Sequence, residues 1–372
     1  MIAPFGFATA GTIGFGRGVL AEAAPFAARY SRVLLVRSAS VTAADGLMRD
    51  LRQSGDAVEI IAKGEPDLPA INAHLATARP FAPDLIITIG GGAVIDLGKA
   101  LAALIPAPHG ALRYLEVVGD GQPLDAAPLP LVAIPTTAGT GTEVTRNAVI
   151  GVPEAARKVS LRDPRLYPVL ALIDPDLCLS CPRDVTLASG LDAVTQVIEP
   201  FISNRANPVT DALCRDAIPR GLAALRRLLD DDDTSAWDDM ALTSVFGGLA
   251  LANAGLGAVH GFAGVIGGQT GAAHGAICGA LLVPVLQANL AAASGETAAR
   301  ISWVIDRISD EYGSLADFQT WARDHGLPRL HELGVMRNSH DQIARDARAA
   351  SSYKANPVDL DMPSLLDILA KA

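Results

Sequence analysis

Two histidines, His260 and His274, stand in a stretch from Met240 to Gly295 that contains no Asp, Glu, Lys or Arg. Beside them only the thiol of Cys278 is readily ionised there. An imidazole in so apolar a run must meet polar partners or a metal, because a buried polar group left unpaired is costly. Taken singly, each also fits a core histidine satisfied by its neighbours. Gly267-Gly268-Gln269-Thr270-Gly271 between the two reads as a turn. They therefore fall on two consecutive helices that converge from different directions. Upstream, the segment from Gly190 to Glu199 reads as the start of an amphipathic helix, with Asp192 and Gln196 one turn apart and able to point at one spot. Alone, that pair is more simply a helix-start carboxylate and a surface amide. Together with His260 and His274 it makes a set of three or four ligands for a divalent metal with an open position.

A second chemistry belongs to the first half. Gly90-Gly91-Gly92 sits where an apolar strand hands over to a helix, so backbone N–H groups and the helix N-terminus can approach an anion closely, and a pyrophosphate is the natural ligand. The spacing is not G-x-G-x-x-G, and three glycines also make a plain tight turn. A second loop, Pro135-Thr-Thr-Ala-Gly-Thr-Gly-Thr142, follows another apolar strand; parallel strands would put both loops on one edge. Cys178-Leu-Ser-Cys181 lacks the second pair of a metal knuckle and reads as two ordinary thiols.

The elements that must position these groups follow from hydrophobic period. Strands are expected at Arg32–Arg37, Ala57–Ala62, Asp84–Gly90 and Leu129–Pro135, with helices through Asp45–Leu51, Asp67–Thr77 and Ala93–Ile105. Such alternation implies βαβ units and a mostly parallel sheet. Beyond Asp174 no strand pattern convinces. Apolar residues recur at helical spacing over Leu187–Phe201, Val209–Leu229, Ala241–Asn253, Leu281–Ala293, Ala298–Ile308 and Leu315–His325. The fold class expected is an α/β N-terminal nucleotide-binding domain with a mostly parallel, Rossmann-like sheet, residues 1–176, plus an all-α C-terminal domain, residues 177–372. Asp230–Asp233 reads as a solvated loop.

A net charge of −10 leaves no basic surface for nucleic acid or an anionic bilayer. Phe246 to Ile266 nearly reaches the ~20 apolar residues of a membrane span. It carries Asn253 and His260, many glycines and no basic flanks, so no membrane partner is expected. Four cysteines make no disulfide framework and the N-terminus has no signal-peptide pattern, so a cytoplasmic protein is expected. Phe, Tyr and Trp make up 5% of residues, so any substrate pocket should be lined by small aliphatic side chains.

Several motifs in order, Asp84–Asp96, Pro135–Asn147, Asp174–Leu177, Ser189–Gln196 and Gly255–His260 through His274-Gly275, with Leu327–Leu330 and Asn356-Pro357, resemble the iron-containing (group III) alcohol dehydrogenases. The likeness spans nearly the whole chain and is weakest before Ala57. It implies an NAD(P)-dependent oxidoreductase acting on a small alcohol, aldehyde or ketone, a catalytic iron(II) or zinc(II) in a cleft between the domains, and a dimer or larger homo-oligomer. By this resemblance Gly90, Gly91, Gly92 and Asp96 match the pyrophosphate loop. Thr136, Thr137, Thr140, Asn147 and Lys158 match residues lining the rest of the cofactor site, and Asp192, His260 and His274 match three of four metal ligands. The fourth family ligand is a histidine where this chain has Gln196, and a second family histidine is Gly264 here. A glutamine oxygen is a weaker donor than imidazole, so metal affinity should fall or the preferred ion change. Without the second imidazole, water or a cofactor ribose hydroxyl must relay the proton. Ser38 stands where NAD-preferring relatives carry an Asp, and with Arg37 beside it a 2′-phosphate would be tolerated or bound, which leans to NADP over NAD. Rival readings are a metal-independent reductase resembling the maleylacetate reductases, a lyase resembling dehydroquinate synthase, and a nucleotide-binding sensor that has lost catalysis.

Overall fold

The computed structural model describes residues 3–155 and 157–372. The chain divides into two compact units: Thr9–Thr137 with Thr142–Ser180, and Cys181–Ala372 with Ala138–Gly141 and the N-terminal residues up to Ala8.

The first unit is α/β. Its strands are β1 (Ile13–Phe15), β2 (Arg32–Ser38), β3 (Asp56–Ala62), β4 (Leu85–Gly90), β5 (Leu131–Pro135), β6 (Asn147–Val152), β7 (Arg157–Arg162) and β8 (Leu170–Ile173). Its helices are α1 (Ala23–Ala27), α2 (Ala43–Ser54), α3 (Leu68–Phe81) and α4 (Gly92–Leu104). Six strands form one parallel sheet in the order β1-β8-β5-β4-β2-β3. The run Leu85-Ile-Ile-Thr-Ile-Gly90 is buried throughout, as a central strand covered on both faces must be. Leu47, Met48 and Leu51 of α2 pack with Leu35 and Ile87 on one face. Ile71 and Leu75 of α3 and Leu97 and Leu101 of α4 pack with Leu34 and Ile86 on the other. The chain thus leaves β2 for one face and the neighbouring β4 for the opposite one. That divergence opens a crevice at the C-terminal ends of the two strands, the usual ligand position in such sheets.

β6 and β7 pair antiparallel as a separate hairpin, which hydrophobic period had not suggested. The reason is visible in β6: Ala148, Ile150 and Val152 are buried in alternation, but Ala and Gly among them blur the β signal. Beneath the hairpin lies Lys99 of α4, fully buried. Its ammonium donates to Thr142 O at 2.6 Å, Thr145 O at 2.7 Å, Thr145 Oγ1 at 2.8 Å and Asn147 O at 3.2 Å. Burial lowers Lys99 to about 8, with Asp96 and Glu143 limiting the drop, so the charged donor persists at neutral pH. Lys99→Met would remove a costly buried charge but orphan three carbonyls, each worth ~1–3 kcal/mol. The orphaned acceptors outweigh the relief, and a loss of about 3 kcal/mol is expected by denaturant titration, with faster hydrogen exchange across 142–147. An unchanged midpoint would mean the lysine fastens nothing.

The second unit is helical: α5 (Arg183–Ile202), α6 (Pro208–Asp230), α7 (Trp237–Ala254), α8 (Ala258–Thr270), α9 (His274–Ala292), α10 (Gly295–Tyr312), α11 (Leu315–Asp324), α12 (His340–Ala349) and α13 (Met362–Lys371). Among the described residues no strand follows Ile173. The glycine-rich segment expected to be a turn is instead the end of α8, which runs through Gly267 and Gly268 to Thr270 and stops at Gly271, where φ is 70°. Likewise α9 begins at His274, seven residues before the helix expected from Leu281. Asp230–Asp233 is also more than a solvated loop: Asp230 accepts the Trp321 indole N–H at 2.8 Å and Asp233 binds Arg227. The apolar run from Phe246 to Ile266 is broken into two helices at 100° to one another. Among the described residues α9 is the one single helix long and apolar enough to cross a membrane, and 72% of its apolar window is buried inside the protein.

Candidate functional site

Three helices of the second unit bring the expected metal ligands together. Asp192 lies in the middle of α5, His260 in the first turn of α8, and His274 at the first residue of α9. Asp192 Oδ1 is 3.3 Å from His260 Nε2 and 3.8 Å from His274 Nε2, and the two ring centroids are 5.4 Å apart. Glycines let the helices close in. A Cβ on Gly275 would fall 2.0 Å from Ala188 O of α5, and one on Gly279 would fall 2.5 Å from Leu191 Cδ1. His274 and Cys278 each precede one of these glycines, so the bare seam that admits α9 also sets both side chains beside Asp192. Cys278 joins the cluster: its sulfur and the donor atoms of Asp192, His260 and His274 all lie within 4.8 Å of one another. Sequence reasoning noted this thiol without giving it a role. The available signal was its place one turn after His274, on the same helix face.

The donors fit a cation. Glu199, one turn beyond Gln196 on α5, accepts the His260 Nδ1 proton at 2.7 Å and also the N–H groups of Gly257 and Val259 at the start of α8. With Nδ1 thus committed as donor, neutral His260 keeps a bare Nε2 lone pair, 3.3 Å from Asp192 Oδ1. Both atoms are buried and neither has a hydrogen-bond partner. Two buried acceptors this close need a positive charge beside them. Where no ion is bound, protons supply that charge. Burial alone would lower the imidazoles, but Cys278 and Asp192 outweigh it, raising His274 to about 9 and His260 well above its ordinary range. Burial likewise opposes ionisation of Asp192, yet His274 and His260 hold its carboxyl below the usual range. Gln196 is buried in the same unit, with its Nε2 donating to Gly139 O at 2.6 Å.

The other expected residues lie in the first unit, except Thr140, which belongs to the Ala138–Gly141 strip of the second. Ser38 ends β2, Gly90 ends β4 and Thr136 follows β5, so all three lie at one edge of the sheet. Thr136 N donates to Gly90 O at 3.1 Å, tying the two loops together. Gly91 precedes α4, whose first N–H groups have no acceptor within the helix and face outward for an anion. Side chains would close this cradle: a Cβ on Gly90 would meet Val94 at 2.5 Å, and one on Gly91 would lie 3.4 Å from Thr137 Oγ1. Asp96 is buried one turn into α4. Asn147 opens β6 with its carbonyl on Lys99, and Lys158 on β7 pairs with Glu65. Arg37 is already engaged, by Asp45 at 2.6 Å and Glu59 at 2.9 Å. A guanidinium held by two carboxylates is not a free clamp for a 2′-phosphate.

Comparison with known proteins agrees with the geometry. Residues 10–175 match the family model described as iron-containing alcohol dehydrogenase, and residues 186–372 match the C-terminal model of the Fe-containing alcohol dehydrogenase family. Alcohol dehydrogenase 4 of Saccharomyces cerevisiae strain YJM789 is 31% identical over 375 residues, covering 96% of each chain. The 1,3-propanediol dehydrogenase of Klebsiella pneumoniae is 32% identical over 85% of this chain and 83% of its own length. A crystal structure of a 1,3-propanediol oxidoreductase superposes with a TM-score of 0.89 at 28% identity, covering 99% of both chains. With both family models matched in order over nearly its full length, the chain belongs to the iron-containing alcohol dehydrogenases and is an oxidoreductase of that family.

Proposed function

We propose that this enzyme interconverts a small alcohol and its carbonyl compound, with NAD as the preferred hydride partner and a divalent cation held by Asp192, His260 and His274. The observation that carries the reading is the pair of buried, unpartnered atoms, Asp192 Oδ1 and His260 Nε2, 3.3 Å apart. When bound, the cation supplies a Lewis acid that polarises a carbonyl or lowers the pKa of an alcohol. Asp192 contributes the negative charge that retains it, and Glu199 fixes the His260 tautomer so that Nε2 stays available. Gly90–Gly92 and the start of α4 hold the pyrophosphate, while Thr136 and Thr137 line the same sheet edge. This division of labour puts the cofactor half before, and the metal half after, a boundary near Leu177.

Gly264, one turn after His260, faces open space: a Cβ there would meet nothing within 4 Å. That gap on the His260 face of α8 suits a short aliphatic chain and a water that takes the proton in place of an imidazole. NAD is favoured over NADP because Arg37 is neutralised by Asp45 and Glu59. The test is reduced-cofactor absorbance with a panel of short alcohols and aldehydes, before and after stripping the metal and adding it back. Turnover should vanish on stripping, return on readdition, and show a higher kcat/KM with NAD than with NADP. Full turnover after stripping would support the metal-independent reductase instead. Cofactor binding without turnover on any substrate would support the sensor.

A further inference from the structure

We propose that Cys278 is the fourth protein ligand of the cation held by Asp192, His260 and His274, that Gln196 is a loop anchor and not a ligand, and that the site is thereby suited to zinc or cobalt(II) over iron(II). The proposal rests on the metal reading above and goes further in naming the ligand set and the ion.

Three observations carry it. First, Cys278 is fully buried, and its sulfur sits in a cluster with the donor atoms of Asp192, His260 and His274. Zinc–nitrogen, zinc–oxygen and zinc–sulfur bond lengths place tetrahedral ligand atoms about 3.3–3.8 Å apart. The 3.3 Å between Asp192 Oδ1 and His260 Nε2 lies at that spacing, the 3.8 Å between Asp192 Oδ1 and His274 Nε2 is wider than an oxygen–nitrogen pair needs, and all four donors, the Cys278 sulfur included, stay within 4.8 Å of one another.

Second, the Gln196 amide nitrogen is committed to the backbone. Its Nε2 holds Gly139 O, and the strip around Gly139 is seated without slack. A Cβ on Gly139 would fall 2.9 Å from Ser189 Cβ, and one on Gly141 would fall 2.6 Å from Gly248 N. Gln196 is therefore the hydrogen-bonding post for a strip pressed onto α5 and α7. Third, the charges close. Among the atoms that would touch the ion, one carboxylate, one thiolate and two neutral imidazoles cancel a divalent cation, while the buried Glu199 carboxylate behind His260 is taken up by the N–H groups of Gly257 and Val259 and by the His260 ring. Thiolate donors also move preference toward the softer ions.

The test uses the full-length protein, stripped and then loaded anaerobically with cobalt(II), with metal content measured directly. Wild type and Gln196→Leu should both show the near-ultraviolet thiolate-to-cobalt(II) charge-transfer band. Cys278→Ser and Cys278→Ala should lack it, bind zinc at least tenfold more weakly, and discriminate less between zinc and iron(II), with circular dichroism confirming that both variants fold. Cobalt bound by wild type without the band would overturn the cysteine ligand while leaving the metal reading intact. So would a band that survives Cys278→Ser, or loss of metal from Gln196→Leu as great as from the cysteine variants. Failure of folded wild type to bind any cobalt or zinc would overturn both readings together.

Discussion

Asp192→Asn should lower kcat by about a thousandfold and strip the protein of tightly held metal while leaving it folded. The substitution keeps the shape of the side chain and removes the carboxylate charge that both imidazoles face, at 3.3 and 3.8 Å. Buried at 2% exposure, that carboxylate is screened by little water, so its attraction for a cation is stronger than at a surface. Several kcal/mol of Lewis-acid stabilisation depend on the ion's presence, and each ~1.4 kcal/mol is a factor of ten in rate. In the stripped protein the two imidazoles outweigh the burial cost of Asp192 and hold its carboxyl below the usual range, so its charge contributes to stability and the variant should melt somewhat lower than the stripped wild type while staying folded. Elemental analysis, melting and steady-state rates measured on one preparation check all three. Retained turnover and retained metal would place the reacting centre elsewhere.

How far the sequence anticipated this site depends on what each residue's neighbours do. His260 and His274 could be picked out because a polar group in an uncharged run of fifty-odd residues has few ways to be satisfied, and Asp192 because it stands one helical turn from Gln196 within a stretch that resembles the family's. The β4–glycine–α4 unit was legible for a similar reason: a continuous apolar strand followed by glycines leaves little alternative. What could not be read was anything decided by a partner distant in sequence. Arg37 was expected to be available beside Ser38, but Glu59, from the adjacent strand β3, and Asp45 take its guanidinium. Lys99 gave no sign in an alanine-rich helix that it would hold three carbonyls forty-odd residues away. Glu199 looked like one more polar residue on α5, and only the fold shows it caps α8 and orients His260. His274 was placed on a helix, but hydrophobic period picked α9 up only from Leu281, because Gly275 and Gly279 dilute the pattern before it. A glycine lowers helix propensity by about 1 kcal/mol, and nothing local reveals that the same bare backbone admits a neighbouring helix.

That seam supplies the second large effect. Gly275→Ala adds a methyl group whose carbon would lie 2.0 Å from Ala188 O and 2.6 Å from Ala188 C, backbone atoms of α5 that cannot rotate away. The same carbon would come 3.2 Å from Asp192 Cβ. Ordinary contact begins near 3.4 Å, so α9 must move off α5 by more than an ångström, and His274 and Cys278 move with it. Overpacking of this kind costs ~1–3 kcal/mol or more, and it wins over the ~1 kcal/mol that alanine gains in helix propensity. A displacement of about 1 Å at a reacting centre can cost a hundredfold. The variant should therefore melt lower, bind metal more weakly and lose about two orders of magnitude in kcat/KM. Gly279→Ala, whose added carbon meets the movable tip of Leu191 at 2.5 Å, should do less of each. Gly264→Ala, with nothing within 4 Å, serves as the stability control and should melt no lower than the parent. A Gly275→Ala protein that melts and binds metal like the Gly264→Ala control would show that the close approach of α9 to α5 does not set the ligand geometry.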